Sequence, residues 1–372
     1  MKLPPLAHTA TSLLVALLLV GCAGSPPVAT PPLAPLTESA ASTAIVVPES
    51  FLTAPRREHE IDSVAAWSGP AGETWLITTG KQSNQIVVFD GDTGDFLFAI
   101  GGPGTGPGQF MRPNGIAVHG DLVFVVERDN ARVQVLRLPE FAPVLSFGQG
   151  ELRTPYGLWI NPVAPDELEL LVTDSFMADF RTELLPPMAE LDQRVKRYRV
   201  RMFGELPQAT LLGSFGDTTP AGALRMVESI AGDPAHDRLL IAEEDRRVGT
   251  TLREYRMDGT YTGRDLPPER FQSQAEGVAL WACPDGSGYW ITVDQSAQRT
   301  IFNVFDRVDL AFRGSFSGER VAVTDGIWLH ATGTRRFPHG VLYASHDDRG
   351  VGAFDWKAVA TALSLRQDCT GP

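Results

Sequence analysis

One motif shape recurs six times along the chain, and it limits the possible folds more than any other feature. A polar residue opens a short apolar run, a second apolar run follows and ends in polar residues, and a third run comes after it. The first unit reads IDSVAAW, TWLITTGK and NQIVVFD; the second PNGIAV, LVFVVERD and ARVQVLRL; the third PYGLWI, LELLVTDS and QRVKRYRV. The fourth reads VESIAGD, RLLIAEED and TTLREYRM; the fifth AEGVALW, GYWITVDQ and IFNVFDR; the sixth TDGIWL, GVLYASHDD and GVGAFDW. Most units add a fourth run, such as FLFAIGG, PVLSFGQG, LLGSFGD or FRGSFSG. Short apolar runs bounded by Gly, Pro, Asp and Asn are strands rather than helices. A repeat of about 40–50 residues is the period of a four-stranded blade. The expected fold is therefore all-β, a six-bladed β-propeller of four-stranded antiparallel blades. The third unit is longer, with an insertion from Met177 to about Arg194. The upstream segment AIVVPESFLT is expected to supply an outer strand that closes the ring, and FDWKAVATAL, Phe354 to Leu363, a short helix.

This alignment concentrates chemistry at one end of the ring. In an antiparallel pair the start of the first strand lies beside the end of the second. The starts are Asp62, Asn114, Tyr156, Glu228, Glu276 and Asp325; the ends are Lys81, Arg128, Asp174, Glu243, Gln295 and His346. All of them are expected around one mouth of the central channel. Strand ends are often polar simply because they meet water, and that is the plain alternative. The fourth unit adds three consecutive acids, Glu243, Glu244 and Asp245, which repel one another unless water or a cation screens them. Calcium takes several oxygen ligands, with carboxylates supplying charge. Glu228 and Glu243 fall on paired strand ends, Glu276 and Gln295 do so in the next unit, and Asp62 and Asp325 flank the closure. Lys81 and Arg128 are suited to hold phosphate oxygens and Tyr156 to hydrogen-bond them. Each has a plain alternative: Glu244 and Asp245 pairing with Arg246 and Arg247, Arg128 with Glu127 or Asp129, Lys81 as a turn lysine, Tyr156 packed across the channel.

Composition narrows the partners. A net charge of −13 offers no basic face to track nucleic-acid phosphates. There is no G-x-S-x-G and no H-E-x-x-H, so serine-esterase and zinc-protease chemistry have no anchor. The glycine-rich stretch in GGPGTGPGQFMRPNGIAV lacks the Lys-Ser/Thr ending of a phosphate loop and reads as an inter-blade turn. At the N-terminus, Lys2, the apolar Leu13 to Val20 and the closing LVGC form a secretory signal, and Ala23 follows Cys22. The expected organisation is a signal at 1–21, a Pro/Ala/Ser/Thr-rich tether at 22–45 and the propeller at 46–372. Cys283 and Cys369 pair or remain separate; spacing alone leaves both open.

The fourth and fifth units carry a family resemblance. VESIAGDPAHDRLLIAEED, AEGVALWACPDGSGYWITVDQSAQRTIFNVFDR and TDGIWL resemble stretches of the β-propeller phytases, and IDSVAAW with TTGK, and PYGLWI, match further positions. The similarity runs from about Ile61 to Leu363. It implies a calcium-dependent phosphomonoesterase acting on inositol phosphates at the propeller mouth, with a metal-activated water attacking phosphorus. It puts Asp62, Glu228, Glu243, Glu276, Gln295 and Asp325 on or near calcium-binding positions. Glu228, Glu243 and Lys81 become the catalytic candidates, and Lys81, Arg128 and Tyr156 the substrate-binding ones. Gly101 to Val118 also resembles an NHL repeat, another blade type. LVGC resembles a bacterial lipoprotein signal, which implies a lipid on Cys22 and a place at the cell envelope, in the outer membrane facing periplasm or exterior; the chain is expected to be a monomer there.

The chain departs from the phytase pattern at several places. Asp62 is followed by Ser63 and Val64 rather than Asp-Pro, and Gln274 stands where the family has an aspartate. Asp174 and Ser175 stand near a family lysine, and an acidic pair is reduced to Asp233-Pro234. These changes imply fewer ions and a weaker grip on a densely phosphorylated substrate. They favour the alternative of a non-catalytic envelope propeller that binds a ligand or protein. Whichever holds, Cys22→Ala is expected to move the protein from the membrane to the soluble exported fraction, checked by fractionation; unchanged membrane retention would count against the anchor.

Overall fold

The computed structural model describes residues 44–202 and 207–368. The signal and most of the tether expected before residue 44 lie outside the described residues, as do Cys22 and Cys369.

The repeat units fold as six antiparallel sheets, one per unit. Their inner strands are Ile61–Ser68, Pro113–His119, Pro155–Ala164, Val227–Asp233, Ala275–Ala282 and Ile327–His330. Each inner strand packs against that of the next sheet, and the sixth returns to the first, so the sheets form the blades of a closed ring around a channel. Along each strand, alternate residues serve alternate seams. In the first blade Ile77 joins Ala65, Val88, Ile116, Val123 and Val125 between blades one and two. Its neighbour Leu76 joins Val64, Val87, Tyr343, Val351 and Ala353 between blades six and one. The other seams are filled in the same manner, and the inner strands line the channel, with Gly115, Gly157, Gly277 and Gly326 among its lining and Trp159 and Trp328 farther along it.

The upstream segment completes the ring, as expected. Ile45–Val46 pairs in parallel with Phe316–Ser317 of blade five, and Phe51–Leu52 becomes the outermost strand of blade six, antiparallel to Gly352–Ala353. Between the two strands, the Glu49 carboxylate accepts backbone N–H bonds from Glu319, Arg320 and Val321. The expected helix spans Trp356–Ala362, with the Asp355 side chain accepting from the Lys357 N–H at its start. The insertion in the third unit holds one 3-10 helix, Met188–Gln193. Arg194 is fully buried behind it and donates to the carbonyls of Asp174, Phe176, Leu224 and Arg225. Cys283 is disulfide-bonded.

One local device sets the mouth. At the start of the inner strand two residues oppose one on the second strand. The register jumps from Ile61↔Gly80 to Val64↔Thr78, and equivalently at 113/116, 155/158, 227/230 and 275/278. Such a bulge re-aims its first side chain. Here those side chains belong to Asp62, Asn114, Tyr156, Glu228 and Glu276. The second bulge residue is Gly or Ser, because the next blade lies against it. A Cβ on Gly115 would stand 2.4 Å from the Tyr156 carbonyl oxygen, and one on Gly157 2.4 Å from that of Glu228. Hydroxyls opposite the bulges stitch the ring. Thr173 Oγ1 accepts from the Gly157 N–H and donates to the Glu228 carbonyl, at 2.8 and 2.6 Å. Thr79 does the same between Ser63 and the Asn114 carbonyl. Gly157→Ala is expected to cost about 1–3 kcal/mol by overpacking against backbone that cannot yield, measured by denaturant unfolding; an unchanged midpoint would mean the ring is looser than its geometry.

Candidate metal and phosphate site at the propeller mouth

The second strands decide what faces the channel, and they do so one residue later than the sequence alignment placed it in three of the blades. Just past each second strand, the N–H of Lys81, Arg128, Ser175, Glu244, Gln295 or Asp347 donates to the carbonyl of Glu60, Arg112, Thr154, Met226, Gln274 or Val323. Each acceptor lies two residues before the bulge, so these six positions are equivalent. The residue before each is turned inward and does a different job. Buried Glu243 accepts backbone N–H bonds from Arg225, Met226 and Asp245, with the Arg253 guanidinium 3.8 Å away. Asp174 accepts from Arg153 and Thr154, Asp294 from Gln272 and Ser273, Glu127 from Met111, and His346 Nδ1 from Ala322. These side chains clamp the segments entering blades two to six; blade one has Gly80 at this position.

The three consecutive acids therefore have three separate fates. Glu243 is held by backbone donors and does not join the cluster expected of it. Asp245 pairs with Arg247 at 2.7 Å, as the plain reading had it. Glu244 does not pair with Arg246 or Arg247. It turns to the mouth and takes the place expected for Glu243.

There, one carboxylate oxygen from each of Glu228, Glu244 and Glu276 lies within 4.8 Å of the others. Glu276 is 3% exposed, and its Oε2, like Glu244 Oε1, is buried without a hydrogen-bond partner. Calcium–oxygen distances are about 2.3–2.6 Å, so oxygens sharing one ion stand up to about 5 Å apart. The donor set fits such an ion in spacing, hardness and charge. Asp62 and Asp325 are also at the mouth but hold Lys81: the ammonium is 2.9 Å from Asp62 Oδ1 and 3.8 Å from Asp325 Oδ2. Gln295 Nε2 donates to Asp325 Oδ1 at 2.5 Å. Thus Glu228 and Glu276 lie in the triad, Asp62 and Asp325 surround the lysine, and Gln295 braces Asp325.

On the preceding blades, Arg128 lies beside Tyr156 and donates from Nε to Asp129 at 2.7 Å. Glu127, the other expected partner, instead binds Arg132 at 2.5 Å. Asn114, 2% exposed, keeps its Oδ1 unpaired. Ser175 Oγ accepts the Val227 N–H.

Burial and crowding shift these groups together. Desolvation, then the charge of Asp62, pushes Glu228 up to about 7, although Lys81 and a hydrogen bond with Glu244 work against the shift. Burial and the neighbouring charges of Glu276 and Glu228 hold Glu244 well above the usual carboxylate range. Burial with Glu228 and Asp325 does the same to Glu276, and burial with Asp62 to Asp325. Burial opposes the charged form of Lys81, but Asp62, Asp325 and Glu228 outweigh it and raise its pKa.

A family model described as a 6-bladed beta-propeller matches residues 71–137, from the turn between the first two strands of blade one to the end of the third strand of blade two. No curated protein matches the chain. Among solved structures, hydrazine synthase of Kuenenia stuttgartiensis is 11% identical over 86% of this chain and 82% of that one, with a TM-score of 0.44. The nidogen/laminin complex is 14% identical over 71% of this chain and 82% of that one, with a TM-score of 0.43. The blade count rests on the strand pairing rather than on these likenesses.

The shifted acids generate a pH dependence of known sign. Folded Glu228 titrates near 7 against an ordinary 4.5, so the folded state binds more protons between those values. Stability from this source is complete below about 4.5 and drains as pH rises through about 7. In chelator, the melting temperature is expected to fall between pH 5 and pH 8, and to fall less in Glu228→Gln/Glu244→Gln. A wild-type melting temperature that rises across that window would mean the mouth acids are ordinary solvated carboxylates.

Proposed function

We propose that the chain is a calcium-dependent phosphomonoesterase, acting at the propeller mouth on inositol phosphates or related monoesters carrying few phosphates. The observation that supports this reading is the Glu228–Glu244–Glu276 triad, with two buried oxygens that lack a hydrogen-bond partner, and Tyr156 and Arg128 on the preceding blades. The resemblance to β-propeller phytases in the same units supports it independently. A bound calcium ion would supply charge for phosphoryl oxygens and lower the pKa of a bound water. The chain's own residues do the rest. The three glutamates would hold the ion, and the bulges keep them in place. Arg128 presents guanidinium donors to a phosphate, oriented by Asp129 and by Tyr156, whose hydroxyl is a further donor. Lys81 is engaged by Asp62, and Ser175 carries no charge, so the cationic grip reduces to one arginine. That is why a lightly phosphorylated substrate suits the site better than a fully phosphorylated one.

The same engagement of Lys81 favours a second reading, a non-catalytic propeller that binds a phosphorylated ligand at this mouth. Both readings take the chain as an exported, monomeric envelope lipoprotein held through Cys22.

Phosphate release from a panel of inositol phosphates, with calcium and with chelator, separates the readings. Calcium-dependent release is expected from the wild type. Glu244→Gln should lower turnover at least about tenfold, equivalent to about 1.4 kcal/mol of barrier. Glu243→Gln should instead cost about 1–3 kcal/mol of stability, because it weakens a buried backbone clamp, with turnover moved less. Arg128→Ala should raise KM more than it lowers kcat. Release that survives chelation would sink the calcium mechanism, and calcium-dependent binding without release would leave the second reading.

A further inference from the structure

Four carboxylates surround the Lys81 ammonium. Asp62 Oδ1 lies at 2.9 Å, Glu60 Oε1 at 3.7 Å, Asp325 Oδ2 at 3.8 Å and Asp348 Oδ1 at 3.9 Å. They come from the entry to blade one, the entry to blade six and the turn that leaves the second strand of blade six. The lysine side chain is 13% exposed and Asp62 only 1%. Only the Asp62 contact is within hydrogen-bond distance; the others are longer and act through charge. An all-oxygen shell of carboxylates around one enclosed positive charge is the ligand chemistry of a hard divalent cation. Here a side chain supplies the charge instead.

We propose that Lys81 is a built-in counter-ion that fills a second cation position at the mouth and so restricts the protein to a single divalent ion, at the glutamate triad. The part concerning the triad rests on the function proposed above; the part concerning Lys81 does not. Lys81 is a positioning residue in this account. Its ammonium keeps Asp62 and Asp325 apart from the triad ion, and its departure would leave a carboxylate shell with no charge inside.

Calcium titration calorimetry of the metal-stripped full chain tests this by counting ions. Lys81→Met, which keeps the length and removes the charge, is expected to bind one more calcium than the wild type. Lys81→Arg should bind the wild-type number, and Lys81→Met/Asp62→Asn should lose the added ion. Equal stoichiometry in Lys81→Met and the wild type overturns the proposal. If Lys81→Met does not fold in chelator, the proposal requires calcium to restore a cooperative melting transition, and a chain that stays unfolded in calcium overturns it. A wild type that binds no ion beside a variant that binds one would sustain the role of Lys81 and remove the triad reading. One ion in each would do the reverse.

Discussion

The closeness of the inner strands at one mouth governs the rest of the molecule. Backbone meets backbone there: the Gly157 position lies so near the Glu228 carbonyl that a Cβ would be 2.4 Å away. Strands that converge so tightly cannot all run straight with full side chains. Five of the six take a bulge, whose second residue is glycine or serine and whose first side chain turns into the channel. The same constraint that closes the ring thus gathers Asp62, Asn114, Tyr156, Glu228, Glu276 and the equivalent Asp325 in one place. The candidate site is a consequence of how a narrow ring closes.

Gathering acids in a narrow, partly dry mouth has an electrostatic cost. The protein meets it in two ways on two sides. Around Asp62 and Asp325 the compensating charge is covalent, the Lys81 ammonium. Between Glu228, Glu244 and Glu276 no side chain intervenes among the described residues, and two buried oxygens are left without partners. A shared proton or a bound cation must offset that second cluster. Arg128, on blade two, is held by Asp129 and lies beside Tyr156 of blade three.

Adjacent residues at the ends of the second strands divide the labour. Glu243 and Glu244 are chemically identical and one position apart, yet one clamps backbone N–H groups and the other faces the channel. The clamp recurs with Glu127, Asp174, Asp294 and His346, so it belongs to the blade design rather than to the chemistry. An acid at that position is needed wherever two entering N–H groups would otherwise be buried unpaired.

The sequence by itself determined the blade number, the closing outer strand, the final helix and the set of inner-strand residues at the mouth. It could do so because apolar periodicity and turn residues are local signals, repeated often enough to confirm one another. Asp62, Asn114, Tyr156, Glu228, Glu276 and Asp325 were legible because each opens an apolar run and most precede glycine. Only the tertiary structure decided which of Glu243 and Glu244 faces the channel, because a strand turns its side chains to opposite faces and a slip of one residue exchanges them. Aligning the fourth unit on Lys81, Arg128 and Gln295 alone would have pointed to Glu244. No sequence signal could have shown that Asp62 and Asp325 enclose Lys81, with Glu60 and Asp348 beside them. Those residues meet only because the last blade comes round to the first, and a contact made by closing a ring is written in no stretch of chain.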